Sequence, residues 1–203
     1  NFNGNANDKI GTYNGTVSGA TLTTGRNNLS NSAYSFNGSS NYIEFGTGML
    51  SGNDNFTISI WINTTQTVNS STVGRILQQR SPGGSGWNGQ YMLEVNSEGK
   101  IKFLTYSNGY KWNVTSGIAL NDGEWHHLTF LQTGNGGQMY LNGVHDQTDN
   151  ASGRVTLLST NKTYLGGDLR DNIRWFSGKV DDLKIFNRAL SASEIQTIYN
   201  MSD

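Results

Sequence analysis

Phe56-Thr57-Ile58-Ser59-Ile60-Trp61-Ile62-Asn63 alternates large apolar with mostly polar residues, so that Phe56, Ile58, Ile60 and Ile62 share one face. Successive side chains of a β-strand point to opposite sides, and this pattern predicts a half-buried strand. Shorter runs of the same kind lie on both sides of it: 33–37, 42–45, 75–79, 91–95, 100–106, 127–132, 138–142, 163–165 and 179–187. Each is bounded by Gly, Asn, Asp or Ser, which supply positive φ or side-chain turn bonds. Asn142-Gly143, between Met139-Tyr140-Leu141 and Val144, predicts a type I′ hairpin, and Ser97-Glu98-Gly99 predicts a second between 91–95 and 100–106. Helical signal is confined to the end. There Ser191-Ala192-Ser193-Glu194 forms a capping box before Ile195, Ile198 and Tyr199, and the resulting helix is expected to cover one end of the sandwich. The fold expected is all-β: an antiparallel sandwich or barrel with one short C-terminal helix, forming a single domain over residues 1–203.

Composition agrees and narrows the function. The 203 residues include 26 Gly, one Pro and no Cys, with 34% hydrophobic, 14% charged and 11% aromatic residues. Aromatic content at that level argues against disorder despite the load of Asn, Ser, Thr and Gly. Without Cys there is no disulfide or zinc-thiolate framework. The net charge of -1 and the lack of any Lys/Arg cluster argue against nucleic acid as a partner. Apolar stretches are only a few residues long, so membrane insertion by a helix is not expected. The chain begins at Asn1 without an apolar leader, which reads as a module cut from a longer, exported precursor.

Seven pieces in order carry a family resemblance. They are Tyr34-Ser35-Phe36-Asn37-Gly38, Tyr42-Ile43-Glu44-Phe45, the 56–62 strand, Asp122-Gly123-Glu124-Trp125-His126-His127, Met139-Tyr140-Leu141-Asn142-Gly143, Tyr164-Leu165-Gly166-Gly167, and the 178–191 stretch through Asp181-Asp182 and Asn187-Arg188-Ala189-Leu190-Ser191. Together they resemble the LamG-like jellyroll family, a branch of the concanavalin A-like lectin/glucanase superfamily. The resemblance implies a jellyroll of two antiparallel sheets, of the kind used as a module in bacterial surface proteins and carbohydrate-active enzymes. It leaves open lectins, carbohydrate-binding modules, glycosidases and protein-binding adhesion domains, because function resides in sites and not in the fold.

The N-terminal Asn1-Phe2-Asn3-Gly4-Asn5-Ala6-Asn7-Asp8 concentrates oxygen donors, the ligands a hard cation such as calcium takes in sets of six to eight. No bidentate Glu follows at EF-hand distance, so another segment must complete such a shell. The resemblance implies one: the Asp-Asp strand near the C-terminus, joined to the N-terminal stretch by a structural calcium. Asn3, Asn5, Asp8 and Asp182 are therefore the expected calcium ligands. Strand parity agrees by putting Asp181 with Leu183 and Ile185 toward the core, and Asp182 with Lys184 on the other side. The same terminus also suits a solvated, turn-forming segment. His126 and His127 point to opposite faces of a strand and are not expected to chelate one ion.

Sugar rings stack their C–H faces on aromatics while their hydroxyls bond amides and carboxylates. Trp87, in the Gly-rich stretch 81–89, is the leading candidate, followed by Tyr110 and Trp112 with neighbouring Tyr106. Asp168 and Trp175, near Asp171 and Asn172, form a second candidate group. Trp61 belongs to an outer sheet surface or beneath a covering loop, and Trp125 to the core. A retaining glycosidase needs two carboxylates about 5 Å apart. Glu94 stands alone on its strand, and no Glu-x-Asp-x-Glu pattern exists. The function expected is a non-catalytic carbohydrate-binding, lectin-like module of a larger secreted or cell-surface bacterial protein, with a polysaccharide or glycan, calcium and neighbouring domains as partners. An adhesion or spacer domain is the alternative.

Overall fold

A computed structural model describes residues 2–81, 88–134, 136–151, 153–169 and 173–201, without the side chain of Tyr110. The strands are β1 (Thr16–Ser18), β2 (Thr21–Thr23), β3 (Ala33–Asn37), β4 (Tyr42–Thr47), β5 (Phe56–Asn63), β6 (Gly74–Arg80), β7 (Gln90–Val95) and β8 (Ile101–Tyr106). They continue with β9 (Tyr110–Thr115), β10 (Trp125–Thr133), β11 (Gly136–Leu141), β12 (Val144–Asp149), β13 (Lys162–Leu165), β14 (Gly167–Asp168), β15 (Arg174–Trp175) and β16 (Ser177–Phe186), before helix α1 (Ala192–Asn200). One seven-stranded sheet runs β1-β4-β13-β6-β7-β8-β9, and the other runs β12-β11-β10-β5-β16-β3-β2. All strand pairs within them are antiparallel. β14 and β15 make a short ribbon of their own. This is the jellyroll sandwich expected.

Period-two patterning explains the core. Phe56, Ile58, Ile60 and Ile62 of β5 face Leu77, Leu93 and Phe103 of the other sheet in one apolar cluster. At its centre Phe103 stacks on Phe130 at 4.8 Å, on Trp112 at 5.3 Å and on Tyr91 at 5.8 Å between ring centroids. Sheet-on-sheet packing of interdigitated inner faces requires such side chains.

β5 departs from expectation because both of its faces are buried. The chain after β16 folds back over the outer face. The Thr57 hydroxyl donates to the Arg188 carbonyl at 2.9 Å and accepts from the Leu190 N–H at 3.0 Å. Helix α1 starts at the expected capping box, with the Ser191 N–H donating to Glu194 Oε2 at 2.8 Å. It lies on the sheet face, and not over an end as expected, because Ile195 and Ile198 pack on Leu131, Tyr140 and Phe186. Trp61 is covered in the same way, stacked on Tyr199 at 5.6 Å with the Arg26 guanidinium 4.6 Å from its ring centroid. The Asn142-Gly143 turn has φ of 49° and 79°, as a type I′ hairpin requires.

Candidate functional site

The face of the β6-β7-β8 sheet that points away from the core carries a groove of about 430 Å³. Alternation places it there: Tyr91, Leu93, Ile101 and Phe103 turn inward to the core, which sends Met92, Glu94, Lys102 and Leu104 outward. Register then aligns the outward residues in rows. Arg75 lies opposite Glu94, and Glu94 opposite Lys102; Met92 lies opposite Leu104. Arg75 Nη1 meets Glu94 Oε2 at 3.0 Å, with both side chains buried. Met92, Leu104 and Tyr106 contribute the apolar surface, while Ser70, Ser71 and Thr72 supply hydroxyls from the loop before β6. Arg174 closes the groove from the β14–β15 ribbon.

Behind Arg174, Asp168 is ion-paired with Arg80, and Arg174 Nη1 lies 3.9 Å from its other oxygen. The ribbon is tied down by Gln78, which donates to the Gly167 carbonyl at 3.1 Å, and by Gln66, which donates to the Trp175 carbonyl at 2.8 Å. Farther along the same face Lys162 meets Glu44 at 2.6 Å. Tyr164 is pushed up to about 12 by burial and by the Glu44 carboxylate. The arrangement can bind: an apolar floor, hydroxyls at one side and cations fixed by ion pairs. Among the described lining residues Glu94 is the one carboxylate, and Arg75 holds it.

Several sequence candidates sit elsewhere. Trp112 is 1% exposed, with its Nε1–H donating to Gln132 Oε1 at 3.0 Å in the core, so it cannot serve as a sugar platform. Asp168 is 3% exposed and committed to Arg80, which removes it as an open hydroxyl partner. Trp175, 7% exposed, belongs to the ribbon itself, with its ring against Gly167 and 6.5 Å from that of Tyr42, and is covered. Trp87, Asp171 and Asn172 lie outside the described residues, as does the side chain of Tyr110. Arg75, Lys102 and Arg174 were not singled out from sequence. The usable signal was charge at alternate positions on consecutive strands, Glu94 beside Met92 and Lys102 beside Leu104.

For calcium, the oxygen chemistry suits the ion, but the described residues hold these donors in separate interactions. Asn5 Oδ1 accepts from the Asn7 N–H at 2.9 Å. Asp8 accepts from the N–H groups of Ile10, Thr12 and Tyr13 at 3.0, 3.2 and 3.1 Å; burial pushes its carboxyl up, but these bonds leave it below the usual range. Asp182 is paired with Lys184 and lies 3.6 Å from Arg26 Nη2. Burial raises its pKa, and the positive groups around it, Lys184 foremost, together outweigh that and leave it at about 2. Among the described residues no three His, Cys, Asp or Glu side chains converge. The parity expected for Asp181 also fails, because a bulge between Asp181 and Lys184, with Asp182 at φ 48°, resets the alternation. Val180 faces the core, so Asp181 turns to the Trp61 side, although Leu183 and Ile185 pack inward as expected.

No curated protein is detectably similar in sequence. Among solved structures, domain 4 of AbnA, a GH43 extracellular arabinanase from Geobacillus stearothermophilus in complex with arabinotriose, superposes with a TM-score of 0.75 at 19% identity, covering 97% of this chain and 93% of that one. The botulinum neurotoxin serotype D ligand binding domain in complex with N-acetylneuraminic acid gives a TM-score of 0.67 at 20% identity, covering 95% of this chain and 48% of that one. The receptor binding domain of botulinum neurotoxin C/D mosaic serotype gives 0.67 at 18% identity, covering 92% and 46%. This chain thus spans about half the length of the neurotoxin domains. The likeness is one of fold. A profile of the concanavalin A-like lectin/glucanases superfamily matches residues 36–196, and the chain belongs to that superfamily.

Proposed function

We propose that this chain is a non-catalytic carbohydrate-binding domain of a secreted or cell-surface protein, and that the glycan lies in the groove over β6, β7 and β8. The observation that carries the reading is the groove's make-up, an apolar strip of Met92, Leu104 and Tyr106 flanked by hydroxyls and fixed charges. A shallow polyhydroxylated ligand needs that combination of C–H stacking and hydrogen bonding. Two similar folds support it, since the arabinanase domain is described with arabinotriose and the neurotoxin domain with N-acetylneuraminic acid. A glycosidase needs a second carboxylate beside Glu94, and Asp168 is engaged with Arg80. Trp87 and Tyr110 stay in the proposal as aromatic contacts on the strength of the sequence. A structural calcium at Asn3, Asn5, Asp8 and Asp182 is its second part, and it requires Lys184 to leave Asp182.

The test is a glycan and polysaccharide array probed with the folded protein and with Tyr106→Ala. Specific binding that falls about fivefold or more in the variant, with an unchanged melt, supports the groove; about 1 kcal/mol per lost aromatic contact predicts that size. A clean negative with the fold verified overturns the carbohydrate reading in favour of a protein-binding adhesion domain.

A further inference from the structure

We infer that Gln66 is a positioning residue of the groove: its amide, seated over Gly74, joins the loop that carries the hydroxyls to the ribbon that carries Arg174, and fixes the two bordering segments relative to each other. This rests on the carbohydrate-binding reading above. Gln66 Nε2 donates to the Trp175 carbonyl at 2.8 Å, and Gln66 Oε1 accepts from the Ser177 N–H at 3.1 Å. One side chain thus holds the main chain on both sides of Phe176, which is fully buried in the core. A carbonyl needs a donor and an N–H needs an acceptor, so a primary amide in this one orientation meets both partners, and a carboxylate or an amine does not.

The other side of the amide lies against β6. A Cβ at Gly74 would overlap Gln66 Oε1, so glycine is what lets the amide reach its partners. Gly74 starts β6 between Val73 and Arg75, which both line the groove. The main chain of Gln66 is fixed as well, its N–H donating to Thr64 Oγ1 at 2.9 Å and its carbonyl accepting from Asn121 Nδ2 at 3.1 Å. Farther along the same loop, Asn69 Oδ1 accepts from the Ser71 N–H at 2.9 Å and from the Thr72 hydroxyl at 3.1 Å, which orders the hydroxyl-bearing residues. Groups that bind a ligand must be held to within about 0.5 Å, and that takes support from behind the contacts. Gln78 ties the ribbon to β6 separately, so loss of the Gln66 amide leaves the ribbon attached and releases it only relative to the loop.

The spacing of loop and ribbon can be measured without a ligand. The chain has no Cys, so Ser70→Cys and Ile173→Cys, both at exposed positions, carry a pair of spin labels for distance measurement. The expected result is a narrow distance distribution that broadens in Gln66→Ala and in Gly74→Ala, each folded by circular dichroism. Gly74→Ala adds no backbone strain, because φ there lies outside the left-handed region. On a concentration series over the glycan array each variant should bind about tenfold more weakly, the factor of one lost buried hydrogen bond. The double variant Gln66→Ala/Gly74→Ala should bind no more weakly than Gln66→Ala, since the added Cβ acts by displacing the amide; two independent structural defects would add. If Gln66→Ala does not fold, Gln66→Met, of similar length and with neither bond, takes its place. An unchanged distribution, undiminished binding in the folded variants, or additive losses overturns the inference and leaves sugar binding in place. If the wild-type protein binds no glycan, the carbohydrate reading falls, and the label distances still decide whether Gln66 fixes the loop against the ribbon.

Discussion

His127 shows how far one residue's chemistry depends on its surroundings. It is fully buried, with Nε2 2.8 Å from Ser59 Oγ and its ring against both Trp61 and Tyr199. Burial lowers its pKa to about 4; the Lys184 and Arg26 charges act in the same direction, and Asp182 opposes them. The group is neutral when folded and binds its proton more readily when unfolded. Its contribution is therefore fully present above about pH 6.5 and lost as pH falls from there toward 4, on the order of 3 kcal/mol at pH 4. Asp182, held at about 2, stays ionised through that window. Denaturant melts between pH 7 and 4.5 should show a loss of stability that His127→Gln shrinks; an identical slope in the variant removes His127 as its source. The two histidines were readable as opposite-facing, and His126 does pair separately with Asp122 at 3.0 Å. That His127 is sealed beneath a helix that begins 65 residues later in the chain was not readable.

At the scale of elements, local signals performed well where the cause is local. The Ser191 capping box and the Asn142-Gly143 turn formed as expected, since both are decided within four residues. β16 is the counter-example. Its alternation predicts one set of faces, yet the bulge after Asp181 resets them and leaves Asp182 beside Lys184 and Arg26. A calcium ion joining the N-terminal loop to β16 must compete with those cations. Excess calcium should raise the melting temperature over that in chelator, as any ligand specific to the native state does, and Asp182→Ala should abolish the rise. Superimposable melts, with no calcium found by elemental analysis, exclude the ion.

Across the whole molecule, the spacing of the two sheets rests on a few contacts between distant strands. Trp112 of β9 reaches across to Gln132 of β10, whose side-chain amide also donates to the Asp54 carbonyl at 2.8 Å and the Val155 carbonyl at 3.0 Å. The Trp112 ring lies directly over Gly137 of β11, where a Cβ would overlap it. Gly137→Ala should thus destabilise by about 1–3 kcal/mol through overpacking. Chemical denaturation checks this, and a midpoint within error of wild type would mean that the ring has room to move. The packing also explains why Trp112 looked like a binding residue. Its neighbours in sequence, Lys111 and Asn113, are polar, and nothing local shows that a second sheet covers the strand.

By itself the sequence determined the all-β class, its strand alternation, the tight turns and the helix cap, because each follows from the period of two or from bonds between near neighbours; the jellyroll was legible only through the family resemblance. Alternation states which residues share a face, but not what lies over that face. Tertiary structure alone decided that β5 is covered on both sides, that Trp112 and Asp168 are buried, and that Arg75, Glu94, Lys102 and Arg174 meet around one groove. Those outcomes depend on register between strands and on a ribbon about 70 residues farther along the chain. Such pairings are set by the fit of the whole core and leave no mark at any one position.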